Sequence, residues 1–112
     1  MMAYQETTAQ QLKQLLDQSP ANALVLDVRS KAEYTSGHIA GTTNLPLSKL
    51  AENISTVPKH KELYVTCGSG HRSLVALELL QASGFTKLHN VTSGLQGWVQ
   101  AGYPIVTAAQ SF

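Results

Sequence analysis

Helical and strand-like segments alternate along this chain, and the alternation predicts an α/β fold with a largely parallel sheet. Two further observations point the same way. Residues 24–28 and 63–66 are short, apolar, β-branched runs of the kind buried on both faces of a parallel sheet, and each leads into polar or charged residues. No linker-like Pro/Gly/Ser run, charge block or internal repeat divides the chain, so residues 1–112 are expected to form one domain.

Each element has its own justification. Thr8 and Gln11 have capping-box spacing, and Leu12, Leu15 and Leu16 follow at helical period. This first helix is expected to stop near Ser19-Pro20, because proline disfavours helical geometry in the residue before it. The strand at 24–28 carries charge at its end, Asp27 and Arg29. Residues 31–36 read as a short helix closed by Gly37, and 42–45 as a short strand. The stretch after Pro46 reads as a helix capped by Ser48. The strand at 63–66 runs directly into Cys67. Leu74, Val75, Leu77, Leu79 and Leu80 read as a core helix ended by Gly84. Residues 87–91 form the last strand, and 95–101 the last helix, closed by Gly102 and Pro104. A further short strand is expected near Tyr4. Trp98 reads as packing, His38 as bonding backbone in its own turn, and His60 and His89 as solvated.

Composition narrows the functional classes. The chain is 43% hydrophobic with a mean hydropathy of −0.07, which suits a globule. No apolar run approaches the ~20 residues that span a bilayer. The polar first residues lack the basic-then-apolar order of a signal peptide. Eight Lys and Arg against seven Asp and Glu leave a net charge of +1, too little field to grip nucleic acid or an anionic membrane. The single cysteine, Cys67, excludes an intrachain disulfide and a cysteine-rich zinc site. No two histidines have a ligand spacing such as i, i+4, so no metal is expected. The reducing cytoplasm is the expected location.

The segment richest in chemistry is Cys67-Gly68-Ser69-Gly70-His71-Arg72-Ser73. It joins a buried strand to an apolar helix, where open α/β sheets place their ligand sites. Two glycines let the backbone turn tightly with its N–H groups aimed at a common centre, and the following helix presents its positive end there. Arg72 adds a fork of donors suited to an oxyanion, and His71 a further donor. A thiolate in such a cradle is stabilised, so Cys67 is expected to be an exposed, reactive nucleophile rather than a core thiol. Arg29 and Arg72 are the only arginines, and both follow a buried strand. Strand ends of a parallel sheet share one edge, so Asp27 and Arg29 are expected beside the loop as supporting residues. Asp27 is expected to bond the loop or Arg72, the plainer alternative being a pair with Arg29 or with solvent. Glu33 reads as a helix-surface residue or structural partner rather than a general acid.

These segments together resemble the rhodanese homology domain in its single-domain sulfurtransferase form, over nearly the whole chain. Leu24-Val25-Leu26-Asp27-Val28-Arg29 with Glu33-Tyr34 resembles the family's first signature, and Gly37-His38-Ile39 with Gly41, Asn44 and Pro46 its second. The Cys-x-x-Gly-x-Arg-Ser loop is matched at Cys67, Gly70, Arg72 and Ser73. Gly84-Phe85, Gly94, Trp98, Gly102 and Pro104 resemble the C-terminal segment. The resemblance implies a three-layer α/β/α domain with a five-stranded, mostly parallel sheet. It also implies ping-pong sulfur transfer from a donor such as thiosulfate to cyanide or a thiol, small or protein-borne, through a Cys67 persulfide. No metal or organic cofactor is then needed. Two departures stand out. Ser93-Gly94 replaces a common Gly-Gly pair, and His71 and Arg72 are the loop's only cationic members where some sulfurtransferases carry more.

Two other readings compete. A phosphatase or arsenate reductase on this fold uses a wider loop; here only Gly68 to His71 separate the cysteine from Arg72, one residue fewer than the cysteine phosphatases carry. A non-catalytic rhodanese-like binding module frequently lacks the cysteine, which this chain keeps.

Overall fold

The computed structural model describes residues 3–107. In chain order the elements are β1 (Gln5–Thr7), α1 (Ala9–Gln18), β2 (Ala23–Asp27), α2 (Lys31–Ser36), β3 (Thr43–Asn44) and α3 (Leu47–Leu50). A 3-10 helix (Ala51–Thr56), β4 (Glu62–Thr66), α4 (Arg72–Ala82), β5 (Leu88–Val91) and α5 (Gly94–Gln100) follow. The five strands form one sheet in the order β1-β5-β4-β2-β3. Every pairing is parallel, so the sheet is parallel throughout rather than mostly so.

Strand alternation divides the apolar residues between two layers. Leu24, Leu26 and Val28 of the β2 segment, Leu63, Val65 and Cys67 of the β4 segment, and Leu88 of β5 face one way. They pack with Leu50, Val57, Ala76, Leu77, Leu80 and Phe85 from the 3-10 region and α4 side. Val25, Tyr64 and Val91 face the other way, onto Leu12 of α1 and Trp98 of α5. A strand with apolar side chains on both faces has to be covered on both faces, and the result is three layers.

Local chemistry fixes the boundaries. Thr8 and Gln11 form the expected capping box, and Ser30 with Glu33 forms a second one at the start of α2. Gly84 ends α4 at φ +94, with the Phe85 amide donating back to the Leu80 carbonyl. The Trp98 indole donates to the Pro104 carbonyl and its ring is buried, as expected of a packing residue. His38 Nδ1 bonds the Tyr34 carbonyl in its own turn.

Three expectations need correction. Ser48 does not cap α3: Pro46 holds the cap position, and the Leu47 amide is satisfied by the Val28 carbonyl instead. His89 is not solvated but buried, stacked on Tyr64 and bonded through Nε2 to Glu62, because β5 is an interior strand. The apolar run of α4 is core only at Ala76, Leu77 and Leu80 with partly buried Leu79; Leu74 and Val75 are exposed. Among the described residues no helix is long and apolar enough to cross a membrane.

Candidate active site

The parallel register brings the loop's neighbours together. Asp27 lies beside Thr66 across β2 and β4, and Val65 beside Asn90 across β4 and β5. Residues just after β2, β4 and β5 therefore share one sheet edge, which carries Asp27, Arg29 and Cys67.

The loop from Gly68 to His71 wraps the cysteine sulfur. The Gly70 amide donates to Cys67 Sγ at 3.1 Å and the Ser73 amide at 3.3 Å. Gly70 has φ +100, a conformation that costs glycine little and that turns its N–H inward. Ser73 lies in the first turn of α4, whose positive end faces the sulfur. Burial pushes the thiol pKa up, but hydrogen bonds from the Ser73 hydroxyl and amide and from the Gly70 and Ser69 amides outweigh it. The thiol is left below its ordinary value. The Ser73 hydroxyl has a single proton, and its 2.7 Å bond to Asn90 Oδ1 places that proton there. The amides therefore carry the persistent part of the stabilisation. Asn90 is in turn fixed by Glu6, which also accepts from Thr92.

Cys67 itself is only 1% exposed, which corrects the expectation of an exposed thiol. Its backbone is covered by α5 and its sulfur forms the floor of the cradle. The Leu95 amide donates to the Cys67 carbonyl at 2.8 Å and the Gln96 amide to the Gly68 carbonyl at 3.0 Å. Gly94 allows this approach: it has φ +51, and a Cβ there would overlap the Cys67 carbonyl. The first turn of α5 thus holds the loop from behind, a role that sequence reasoning did not assign. Its legible trace was Gly94 itself.

Asp27 takes the plainer of its readings, a pair with Arg29, and Arg72 pairs with Glu33. Asp27 bonds neither the loop nor Arg72. It takes Arg29 side-on, with Nη2 2.8 Å and Nε 3.1 Å away and the Arg29 amide at 3.0 Å. Both side chains are buried, at 5% and 3% exposure. The reason is local: two residues along the same turn, Arg29 reaches Asp27 without crossing the edge. Arg29 then spans to α2, donating to the Gly37 carbonyl at 2.8 Å, while Asn44 Nδ2 donates to the Asp27 and Arg29 carbonyls.

Arg72 reaches across to Glu33 of α2 in a two-pronged pair at 2.6 and 2.9 Å, each side chain rather more than 40% exposed. The Arg72 hydrogen bond holds the Glu33 carboxyl down at about 2, against the opposing effect of burial. The guanidinium lies along the loop rim, with Nη2 3.4 Å from where a Gly68 side chain would begin. Glu33 is thus a structural partner, as one of the expected readings had it. His71 is exposed and its Nδ1 lies 3.1 Å from Ser69 Oγ, a contact within the loop.

A parallel α/β/α sheet whose strand-end loop rings a cysteine sulfur with amides defines a class built around a stabilised thiolate. The particular family follows from comparison. Residues 8–101 match the rhodanese-like domain, and the chain belongs to that family. It is 33% identical over 93 residues to a Bacillus subtilis protein named “Putative sulfur carrier protein YrkF”, covering 83% of this chain but only half of that protein. It is 32% identical over 85 residues to a sulfurtransferase of Allochromatium vinosum, covering 76% and 79% of the two chains. The crystal structure of a rhodanese-related protein from Thermoplasma volcanium superposes with a TM-score of 0.81 at 34% identity, covering 92% of this chain and 98% of that one.

Proposed function

We propose that this domain is a sulfurtransferase that carries sulfane sulfur as a persulfide on Cys67. In the first step the Cys67 thiolate attacks the outer sulfur of a donor such as thiosulfate. A new S–S bond forms to the cysteine, the donor's S–S bond breaks, and its electron pair leaves with sulfite. In the second step cyanide or a thiolate attacks the terminal sulfur and takes it, for cyanide as thiocyanate, and the Cys67 thiolate returns. Charge balances in both steps and no external oxidant is used.

The observation that carries the reading is the set of loop amides on Sγ. The same N–H groups that favour the thiolate can donate to a terminal persulfide anion, and the positive end of α4 acts on it too. The loop spacing from Cys67 to Arg72 draws this ring around a sulfur atom more closely than around a phosphoryl group. Reactive thiol chemistry of this kind belongs in the reducing cytoplasm. Because Cys67 is the only cysteine in these 112 residues, the acceptor thiol comes from outside them, on a small molecule or on protein.

Intact-protein mass spectrometry after donor treatment tests the proposal. The expected result is the gain of one sulfur atom, lost on reduction and absent in Cys67→Ser. An unmodified wild-type protein would favour the binding-module reading, and rapid phosphate release from an aryl phosphate would favour a phosphatase. The similarity to a protein named for sulfur carriage supports a second form of the same chemistry, in which the persulfide is handed to a protein acceptor.

A further inference from the structure

Two guanidiniums stand at the active edge, and neither is free to meet an anion. Arg29 is buried and neutralised by Asp27. Arg72, the cation on the loop itself, has two of its nitrogens on the Glu33 carboxylate. The loop amides are directed at the cysteine sulfur, so the far end of a donor has Arg72 as the nearest guanidinium that an exchange of partners could release. A carboxylate fixed to Arg72 is chemically what an anionic donor would replace.

We propose that Glu33 is a tethered competitor for Arg72: an anionic sulfur donor binds by displacing the Glu33 carboxylate from the guanidinium. The proposal rests on the sulfur-transfer reading and names the donor charge that the site selects. Three features make displacement feasible. The pair is half-exposed, and exposed ion pairs are held weakly enough for another anion to exchange in. Glu33 Oε1 also accepts from the Ser30 hydroxyl and amide, so the carboxylate keeps partners after it leaves Arg72. Glu33 also borders an open depression of about 490 Å³ lined by Ser36, Gly37, Leu95 and Ile105, so its carboxylate is not walled in.

The consequence is discrimination by charge. A dianionic donor such as thiosulfate has to displace Glu33 and then sit beside its negative charge. A monoanionic donor that delivers the same sulfur, such as methanethiosulfonate, meets less repulsion. Transfer from it balances in the same way, with methanesulfinate leaving in place of sulfite. Glu33 is therefore a specificity-determining residue, acting through Arg72.

The test compares wild type with Glu33→Gln. Glutamine can keep the capping box with Ser30, as Gln11 does with Thr8, so the substitution removes the charge and leaves the start of α2 in place. The KM for thiosulfate is expected to fall about three- to five-fold, the scale of an exposed ion pair. The KM for methanethiosulfonate falls less, so the ratio of kcat/KM values shifts toward the dianion. A ratio equal to that of wild type overturns the proposal. A second arm measures thiosulfate binding calorimetrically to Cys67→Ser, with and without Glu33→Gln. Tighter binding in the double variant is expected, and equal affinity overturns the competitor role whatever the kinetics. If binding tightens but no variant forms a persulfide with either donor, the sulfur-transfer reading falls and the competitor role stands.

Discussion

Replacing Asp27 with asparagine tests whether the buried Asp27–Arg29 pair is a structural pin of the active edge. Asparagine keeps the shape but removes the charge. Its one oxygen can keep the contacts of only one of the two carboxylate oxygens that Arg29 now uses, and its NH2 group is forced against the remaining donors of the guanidinium. Arg29 is only 5% exposed, and its remaining acceptors are the Gly37 carbonyl at 2.8 Å and the Glu33 carbonyl at 3.4 Å. Removing one partner of a buried ion pair costs about 3–5 kcal/mol, because a desolvated charge is left behind. That is a large share of the ~5–15 kcal/mol that holds a typical domain together. Asp17 is the control, since its pair with Lys13 is exposed and four residues along α1, worth about 0.3–0.5 kcal/mol. Urea denaturation measures both. With an m value of about 1–3 kcal/mol/M, a loss of 3 kcal/mol lowers the midpoint by about 1–3 M. The double variant Asp27→Leu with Arg29→Met removes both charges and is expected to be more stable than Asp27→Asn alone. A loss under about 1 kcal/mol for Asp27→Asn, or one matching Asp17→Asn, would refute the argument.

Two further outcomes follow from single residues. Ser93 is a non-glycine residue at φ +63 with an exposed side chain, so Ser93→Gly is expected to stabilise the fold by about 0.5–1 kcal/mol, the left-handed strain less glycine's entropy; thermal denaturation measures it, and an unchanged or lower Tm speaks against strain there. The lowered pKa of Cys67 means that the native thiolate forms at lower pH than in the unfolded chain. Its contribution to stability is complete above the unfolded value and is lost as pH falls through the native one. Iodoacetamide alkylation followed against pH should show a midpoint below that of the urea-unfolded protein, because the cradle's hydrogen bonds outweigh the upward push of burial, which also slows the rate; a native midpoint at or above the unfolded one contradicts the cradle.

The fold was legible because its signals are local and repeat along the chain. The strands at 24–28 and 63–66 announce themselves by β-branched apolar runs, and three of the helix ends by Thr8–Gln11, Gly37 and Gly84, residues whose chemistry acts within one turn. The errors arise where a segment's state is set by what lies across the sheet. His89 is polar by type, and its burial follows from β5 lying between β1 and β4, an order no local pattern encodes. Ser48 is a good cap by type, yet the Leu47 amide had already found the Val28 carbonyl across the β2 turn. Leu74 and Val75 are apolar but occupy the first turn of α4, on the side away from the sheet.

The same division runs through the site. The cradle is contained in a single loop, so glycine spacing and the following helix were enough to place its amides around the sulfur. What the loop's charges do was not legible, because two arginines and two carboxylates, Asp27 and Glu33, meet at one edge. Proximity along the turn decided for Arg29 and Asp27. Arg72 then took Glu33, which is 39 residues away in sequence. That pairing has a sequence trace in hindsight: Ser30-x-x-Glu33 has capping-box spacing, and a capping glutamate is held at the start of its helix with one face turned outward. Since α2 follows β2 and the loop follows β4, adjacent parallel strands bring that outward face to the loop rim. The carboxylate that caps α2 is therefore also the one within reach of Arg72, and a substitution that repacks α2 will alter the charge at the loop rim without touching the cysteine loop.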